Sequence, residues 1–232
     1  MPSFLKDIHN FYGTGEKNQA GQTLEEFLDE YDPYKYQMPS CTTDAAIFSY
    51  GDSLDRSLKG LKLLLIRRGN HPSIGYWALP GGFVDMTENL EDTARRELEE
   101  ETGVKGLVME QIGAYGDYDR DPRTRVITTA FLSLVKEDSV KVQAGDDAAD
   151  AVWFDLTLEC RQTEESPKQI RNQYLLTVYN QEKKLKIQAT VEEKKAKGLI
   201  CEQKFRVLDG GMLASDHAAI IVHALTILKN RL

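Results

Sequence analysis

A chain of 232 residues, 41% of them hydrophobic, can bury a sizeable core as one large domain or as one domain with an appendage. Its net charge of −8 argues against a nucleic-acid backbone as the main partner, because such partners call for a basic patch. Three cysteines (Cys41, Cys160 and Cys201), odd in number and without CxxC spacing, fit reduced thiols in the cytoplasm rather than a disulfide framework or a zinc site.

The start, MPSFLKDIHNFYG, has no apolar signal core, and no apolar run of about 18 residues predicts a membrane span. Residues 1–40 read as a helical preface. Phe4, Leu5, Ile8, Phe11 and Tyr12 have helical spacing, and Thr23 with Glu26 forms a capping box that opens a second helix. Leu24, Phe27, Leu28 and Tyr31 share one side of it, and Pro33 ends it. So aromatic a segment needs a burial partner, either its own domain or another subunit.

CTTDAAIFSY (41–50) reads as a strand, GDSLDRSLKG as a loop, and LKLLLIRR (61–68) as a buried strand ending in two arginines. RRGNHPSIGYWALPGG follows, with Trp77 expected in the core. Its last three residues, Pro80-Gly81-Gly82, form a turn where backbone can approach a ligand closely.

The stretch from Gly82 to Val104, GFVDMTENLEDTARRELEEETGV, carries the chemistry. Asn89 is placed to cap a helix, Glu91 and Asp92 suit its positive first turn, and Leu90, Ala94 and Leu98 form its inward face. Gly103 suits the left-handed residue just past the end. Glu97, Glu100 and Glu101, at i, i+3 and i+4, put three carboxylates on one face. Like charges so close repel, and a hard divalent cation such as Mg²⁺ answers that repulsion. A charge run alone is more often a solvated helix face.

Beyond it, residues 107–115 read as a strand, and the loop DYDRDPRTR from Asp117 to Arg125 interleaves acids with arginines. VITTAFLSLV (126–135) is the clearest central strand, and 151–155 is another. Residues 157–210 read as an inserted three-stranded β-meander, and 215–232 as a helix capped by Ser215 or Asp216. His217 and His223, on or beside that helix's apolar face, read as structural. Strands alternating with a central and a C-terminal helix suggest an α+β fold, a mixed sheet between helices.

Gly82 to Val104 resembles the Nudix box, GX5EX7REUXEEXGU, at every position. The resemblance extends loosely from about residue 40 to 156 and more weakly to the C-terminus. It implies a Nudix-type α/β/α sandwich over 41–232, with 1–40 as a dimerisation segment and a homodimer as the assembly. It implies hydrolysis of a nucleoside diphosphate linked to another moiety with Mg²⁺, or Mn²⁺, as cofactor. Glu97, Glu100 and Glu101 then correspond to metal ligands, Gly82 to the turn whose carbonyl approaches the metal, and Glu97 also to a general base. Arg96 corresponds to the residue that orients a box glutamate, and Glu88 to the outlying box carboxylate. Arg67, from the RRG segment, is a candidate phosphate contact.

Hydrolases acting on ADP-ribose have a stretch similar to Asp121-Pro122-Arg123-Thr124-Arg125, so Arg123 and Arg125 are candidate substrate contacts and ADP-ribose is the expected substrate. Some members place their base in the loop that here holds Asp146 and Asp147, of which Asp147 is the candidate. Oxidised nucleoside triphosphates, NADH and dinucleoside polyphosphates stay open as substrates. A nucleotide-sensing regulator is the alternative of another class; the winged-helix domain of such regulators would begin where this chain stops, at Leu232.

Overall fold

The computed structural model describes residues 5–142 and 148–232, and side chains within those spans except at 148 and 149. The chain divides into two units, Met1–Met38 and Pro39–Leu232.

In the first unit, Thr23 and Glu26 close the capping box in both directions, opening α1 (Leu24–Glu30). Of the helical spacing from Phe4 to Tyr12, Phe4 lies outside the described residues, and the described part holds a 3-10 turn, His9–Phe11. So short a run cannot repay helix nucleation, and Gly13 and Gly15, both at positive φ, stop it from growing.

In the second unit, ten described strands form one sheet in the order β10-β9-β8-β7-β2-β1-β6-β5, with two short strands, β3 (Trp77–Ala78) and β4 (Gly81–Phe83), beside β2 and β1. The central strands are β1 (Ser40–Tyr50), β2 (Lys62–Arg68) and β6 (Val126–Lys136). β1 and β6 run parallel and the other pairs are antiparallel, so the sheet is mixed, as expected.

Alternation along β1 feeds two cores. Ala46 and Phe48 pack with helix α3 (His217–Arg231), while Ala45 and Ile47 pack with Ala94 and Leu98 of helix α2 (Leu90–Thr102). The sheet therefore lies between the two helices. Trp77 is buried edge-on to Phe154, 4.8 Å between ring centres.

Within residues 157–210 three antiparallel strands follow one another in meander order. β7 (Ala148–Glu165) is one 18-residue strand that pairs first with β2 and then with β8 (Gln169–Asn180). β9 (Leu185–Ala196) and β10 (Gln203–Asp209) follow as antiparallel neighbours. The meander thus extends the main sheet. Its buried Glu193 is held by Asn172, Tyr174 and Gln203, which pins three strands together.

At the far edge, β5 (Glu110–Tyr115) starts later than expected because Leu107 and Met109 turn in against the α2 core. Among the described residues no helix is long and apolar enough to cross a membrane, and the three cysteines are free.

Candidate active site

The site is built where the turn before α2 crosses β1. Register pairs Thr43 with Gly82 and Asp44 with Gly81. A Cβ on Gly81 would sit 2.0 Å from the Thr43 carbonyl oxygen, so only glycine permits that crossing. A Cβ on Gly82 would lie 2.4 Å from the Glu97 carboxyl carbon. That carboxylate occupies the space a side chain would take.

The sequence of α2 sets its faces. Ala94 and Leu98 are buried, as expected, together with Thr93 and Thr102. Gly103 adopts φ 71° and its N–H closes the end onto the Glu99 carbonyl. Asn89 takes the capping position without making the cap bond expected of it: its side-chain amide donates to Asp92 instead.

Arg96 organises the acids. Nε and Nη2 donate to the two oxygens of Glu88, at 2.8 and 3.1 Å. Nη1 donates to Glu97 at 2.7 Å and to Glu100 at 3.0 Å, and Nη2 also reaches the Phe83 carbonyl. Arg96 and Thr93 hold the Glu88 carboxyl below the usual range. Glu97 is pushed up by burial despite Arg96. Glu101 accepts from the Gly81 N–H at 2.9 Å, and burial pushes its pKa up to about 8.

A cleft of about 470 Å³ opens over this turn. Asp44, Glu101, Arg68, Arg120, Arg123 and His217 line it with Gly81 and Gly82. Arg123 lines the cleft; it pairs with Asp121 and lies over the Phe83 ring, 5.2 Å from its centre. Arg67 and Arg125 do not line the cleft. Adjacent strand residues face opposite ways, so Arg67 is exposed on one side of β2 while Arg68 lines the cleft, its Nε fixed on the Pro72 carbonyl at 2.7 Å. Arg125 is exposed, with its backbone carbonyl holding the start of β1. Asp146 and Asp147 lie outside the described residues.

A buried polar cluster at the back of the cleft escaped sequence reasoning. Arg120 grips Asp216 with Nε and Nη2 at 2.9 and 2.8 Å and approaches Asp44 at 3.5 Å. The pull on Asp216 explains why that residue makes no cap bond at the start of α3. His217 accepts the Leu79 N–H at Nδ1, 2.8 Å, which leaves Nε2 facing Asp44 at 3.6 Å. The loop, α3, β1 and the turn into α2 meet here. Asp44, Asp216 and His217 all lie far from Arg120 along the chain, and the signal that could have found Arg120 was only its place in a charged loop.

Among the described residues, no three His, Cys, Asp or Glu side chains converge as a ready-made metal cage. Glu97 and Glu100 are drawn onto Arg96, and Glu101 onto the turn. The donor set nevertheless fits a hard cation. Mg²⁺ keeps several waters and is held by one or two carboxylates plus substrate phosphates rather than by an all-protein cage. The buried Glu101 carboxyl, close to Glu97 and Asp44, has the unmet need for positive charge that such an ion supplies.

A NUDIX domain model matches residues 54–174, just over half of the chain. The chain belongs to the NUDIX family. This NUDIX chain is similar over 98% of its length to a MutT/nudix family protein from Enterococcus faecalis, at 30% identity and a TM-score of 0.62, covering 76% of that chain. It matches the NUDIX domain of Shewanella oneidensis NrtR, a structure complexed with ADP ribose, at 36% identity and a TM-score of 0.50, over 57% of this chain and 82% of that one. Among curated proteins it is 47% identical over 98 residues to an ADP-ribose pyrophosphatase of Methanocaldococcus jannaschii, 42% of this chain and 57% of that protein. It is also 40% identical over 111 residues to an ADPR responsive transcriptional repressor, NtrR, of Acinetobacter baylyi, 47% of this chain and 42% of that protein. The chain spans about half the length of these curated relatives.

Proposed function

We propose that this NUDIX chain hydrolyses the pyrophosphate bond of a nucleoside diphosphate linked to another moiety, ADP-ribose foremost. The observation that carries the reading is the opening of the Gly81-Gly82 turn and Glu101 of α2 into one cleft that also presents Arg68 and Arg123, with the Glu97 carboxylate packed directly behind Gly82. The two relatives whose names refer to ADP-ribose support the choice of substrate.

Glu97, Glu100, Glu101 and the Gly82 carbonyl would hold a divalent cation, Mg²⁺ or Mn²⁺. When bound it would supply charge neutralisation for the diphosphate and a lowered pKa for attacking water. The chain's own residues do the rest. Arg68 and Arg123 bind phosphate oxygens, the role expected at the sequence level of Arg67, Arg123 and Arg125. Arg96 keeps Glu97 and Glu100 in place, and Glu97 accepts the proton of the attacking water. Asp147→Asn compares the alternative base. Catalysis here is mostly positioning and charge stabilisation.

The test is a hydrolysis panel with Mg²⁺: ADP-ribose, NADH, diadenosine polyphosphates and 8-oxo-dGTP, with Glu100→Gln beside the wild type. Cleavage of ADP-ribose by the wild type alone supports the reading. Cleavage of another compound replaces the substrate, and equal rates for the variant reject α2 as the site.

The likeness to the repressor favours one second reading, a sensor of ADP-ribose. DNA binding at physiological salt that responds to ADP-ribose, without turnover, would establish it. For the first unit we propose a homodimer contact, supported by the exposure of Phe11, Tyr31, Tyr34 and Tyr36; sedimentation of the chain with and without residues 1–38 tests it.

A further inference from the structure

A second cavity of the second unit lies apart from the cleft. It is a slot of about 800 Å³ between the two ends of the sheet. β5 and β10 are the outermost strands, and the sheet curls around α3 until both line this one space. Lys204 on β10 reaches across to Asp117, just past β5, at 3.1 Å. The floor is one face of α3: Asp216, Ala219 and His223, at i, i+3 and i+7. Arg120 and Ser215 line both the slot and the cleft, so the two spaces share a wall.

We propose that the slot receives the uncharged heteroaromatic base and ribose of the substrate, with the diphosphate in the cleft. The inference rests on the reading of the cleft as a diphosphate site. Three features select this ligand. The first is an aromatic wall: the part-exposed rings of Tyr115 and His223, hydrogen-bonded to each other at 3.0 Å, line the slot, and the buried Phe205 backs His223 in a stack at 4.7 Å. A base can stack on rings presented in this way whatever its sequence identity, because every base has a π-face.

The second is the pair of strand edges. The outermost strands of a sheet leave backbone N–H and C=O groups unpaired, and these match the donors and acceptors around a base. Around Gly113 on β5 that edge is uncrowded, since even a Cβ there would meet nothing nearer than His223 at 3.8 Å.

The third is charge. Arg120 is committed to Asp216 and Lys204 to Asp117. That leaves Asp119 and Glu202 against Arg206, each without an ion pair among the described residues. A slot with this surplus of acids repels phosphate and favours ribose hydroxyls, whereas the cleft presents Arg68 and Arg123. The two chambers therefore sort the two ends of one ligand.

The experiment uses adenosine, which carries no phosphate, and follows the His223 ring proton by NMR, assigned with His223→Gln. Millimolar adenosine is expected to shift the His223 signal in the wild type, and Ala114→Trp, which fills the slot from an exposed position on β5, is expected to abolish the shift. The same variant is expected to raise KM for ADP-ribose about tenfold. A silent His223, or a shift of His217 in the cleft instead, overturns the proposal. The two readings fail separately: turnover of ADP-ribose with His223 silent removes the slot and keeps the hydrolase. A His223 shift without turnover keeps the slot and removes the hydrolase.

Discussion

Arg120 and Asp216 form a two-pronged ion pair, at 2.9 and 2.8 Å, that joins the loop after β5 to the start of α3. The Arg120 side chain is 6% exposed, so its charge is satisfied by protein and not by water. Ser215 adds a hydroxyl to the Arg120 carbonyl at 2.5 Å.

Removing Arg120 leaves the partly buried Asp216 without its ion-pair partner, and removing Asp216 leaves the buried Arg120 with only its 3.5 Å approach to Asp44. Arg120→Ala is expected to cost about 3 kcal/mol in urea unfolding. Arg120→Ala combined with Asp216→Ala should cost less than the sum of the single losses, because the orphaned charge is gone. Additive losses would mean that the pair does not act as a unit.

The adjacent glycines of the turn should fail differently. Gly81→Ala drives a Cβ into the backbone of Thr43, so loss of folded protein is the expected result. Gly82→Ala meets only the end of the Glu97 side chain, which can swing away. The fold should survive with its melting temperature nearly unchanged, while kcat falls about 100-fold because Glu97 is displaced by roughly an ångström. Circular dichroism beside ADP-ribose turnover separates the two outcomes.

Arg96 supplies donors to three glutamates at once, in a fork that lysine cannot reproduce. Arg96→Lys is therefore expected to lose about 10–100-fold in activity with folding intact. Glu100→Gln changes a largely exposed carboxyl, 58% accessible, so turnover should vanish without a change in stability. Thermal melts alongside kinetics check both.

His223 should make stability depend on pH. Burial lowers its pKa from 6.5, with Glu193 opposing, among Tyr115, Asp216, Arg120 and the β10 cations Lys204 and Arg206. Below pH 6.5 the unfolded chain takes up a proton that the folded one resists, so this group's contribution is full above 6.5 and lost as pH falls. His223→Gln keeps a partner for Tyr115 and cannot titrate. The stability difference between wild type and variant should be constant from pH 7 to 8 and shift against the wild type from pH 6.5 to 5. A parallel pair of curves would refute it.

What could be read from the sequence was local. The box helix, its left-handed glycine and the capping box of α1 depend on residues within a turn of each other, and all three formed. The failures were of two kinds. Some local bonds lost to competitors: Asn89 preferred Asp92, and Asp216 was taken by Arg120. Others needed the third dimension. In Arg67-Arg68 the strand period guarantees that one arginine faces the cleft, yet only the pairing of β2 with β7 and β3 reveals which. The meeting of Asp44, Arg120 and His217 has no trace in spacing, because each residue belongs to a different element. The slot between β5 and β10 exists only because a sheet curls.

The long strand β7 has a consequence for anyone who would shorten this protein. Its first half is part of the sheet that carries the cleft and its second half is the first rung of the meander. Residues 157–210 are consequently not a cassette that can be lifted out at two loop ends. Excision would cut through a continuous hydrogen-bonded strand and strip the cover from α3, whose buried face packs on Leu176, Ile187 and Val191. A shortened chain would therefore need a new apolar-to-polar pattern on α3 as well as a new strand end.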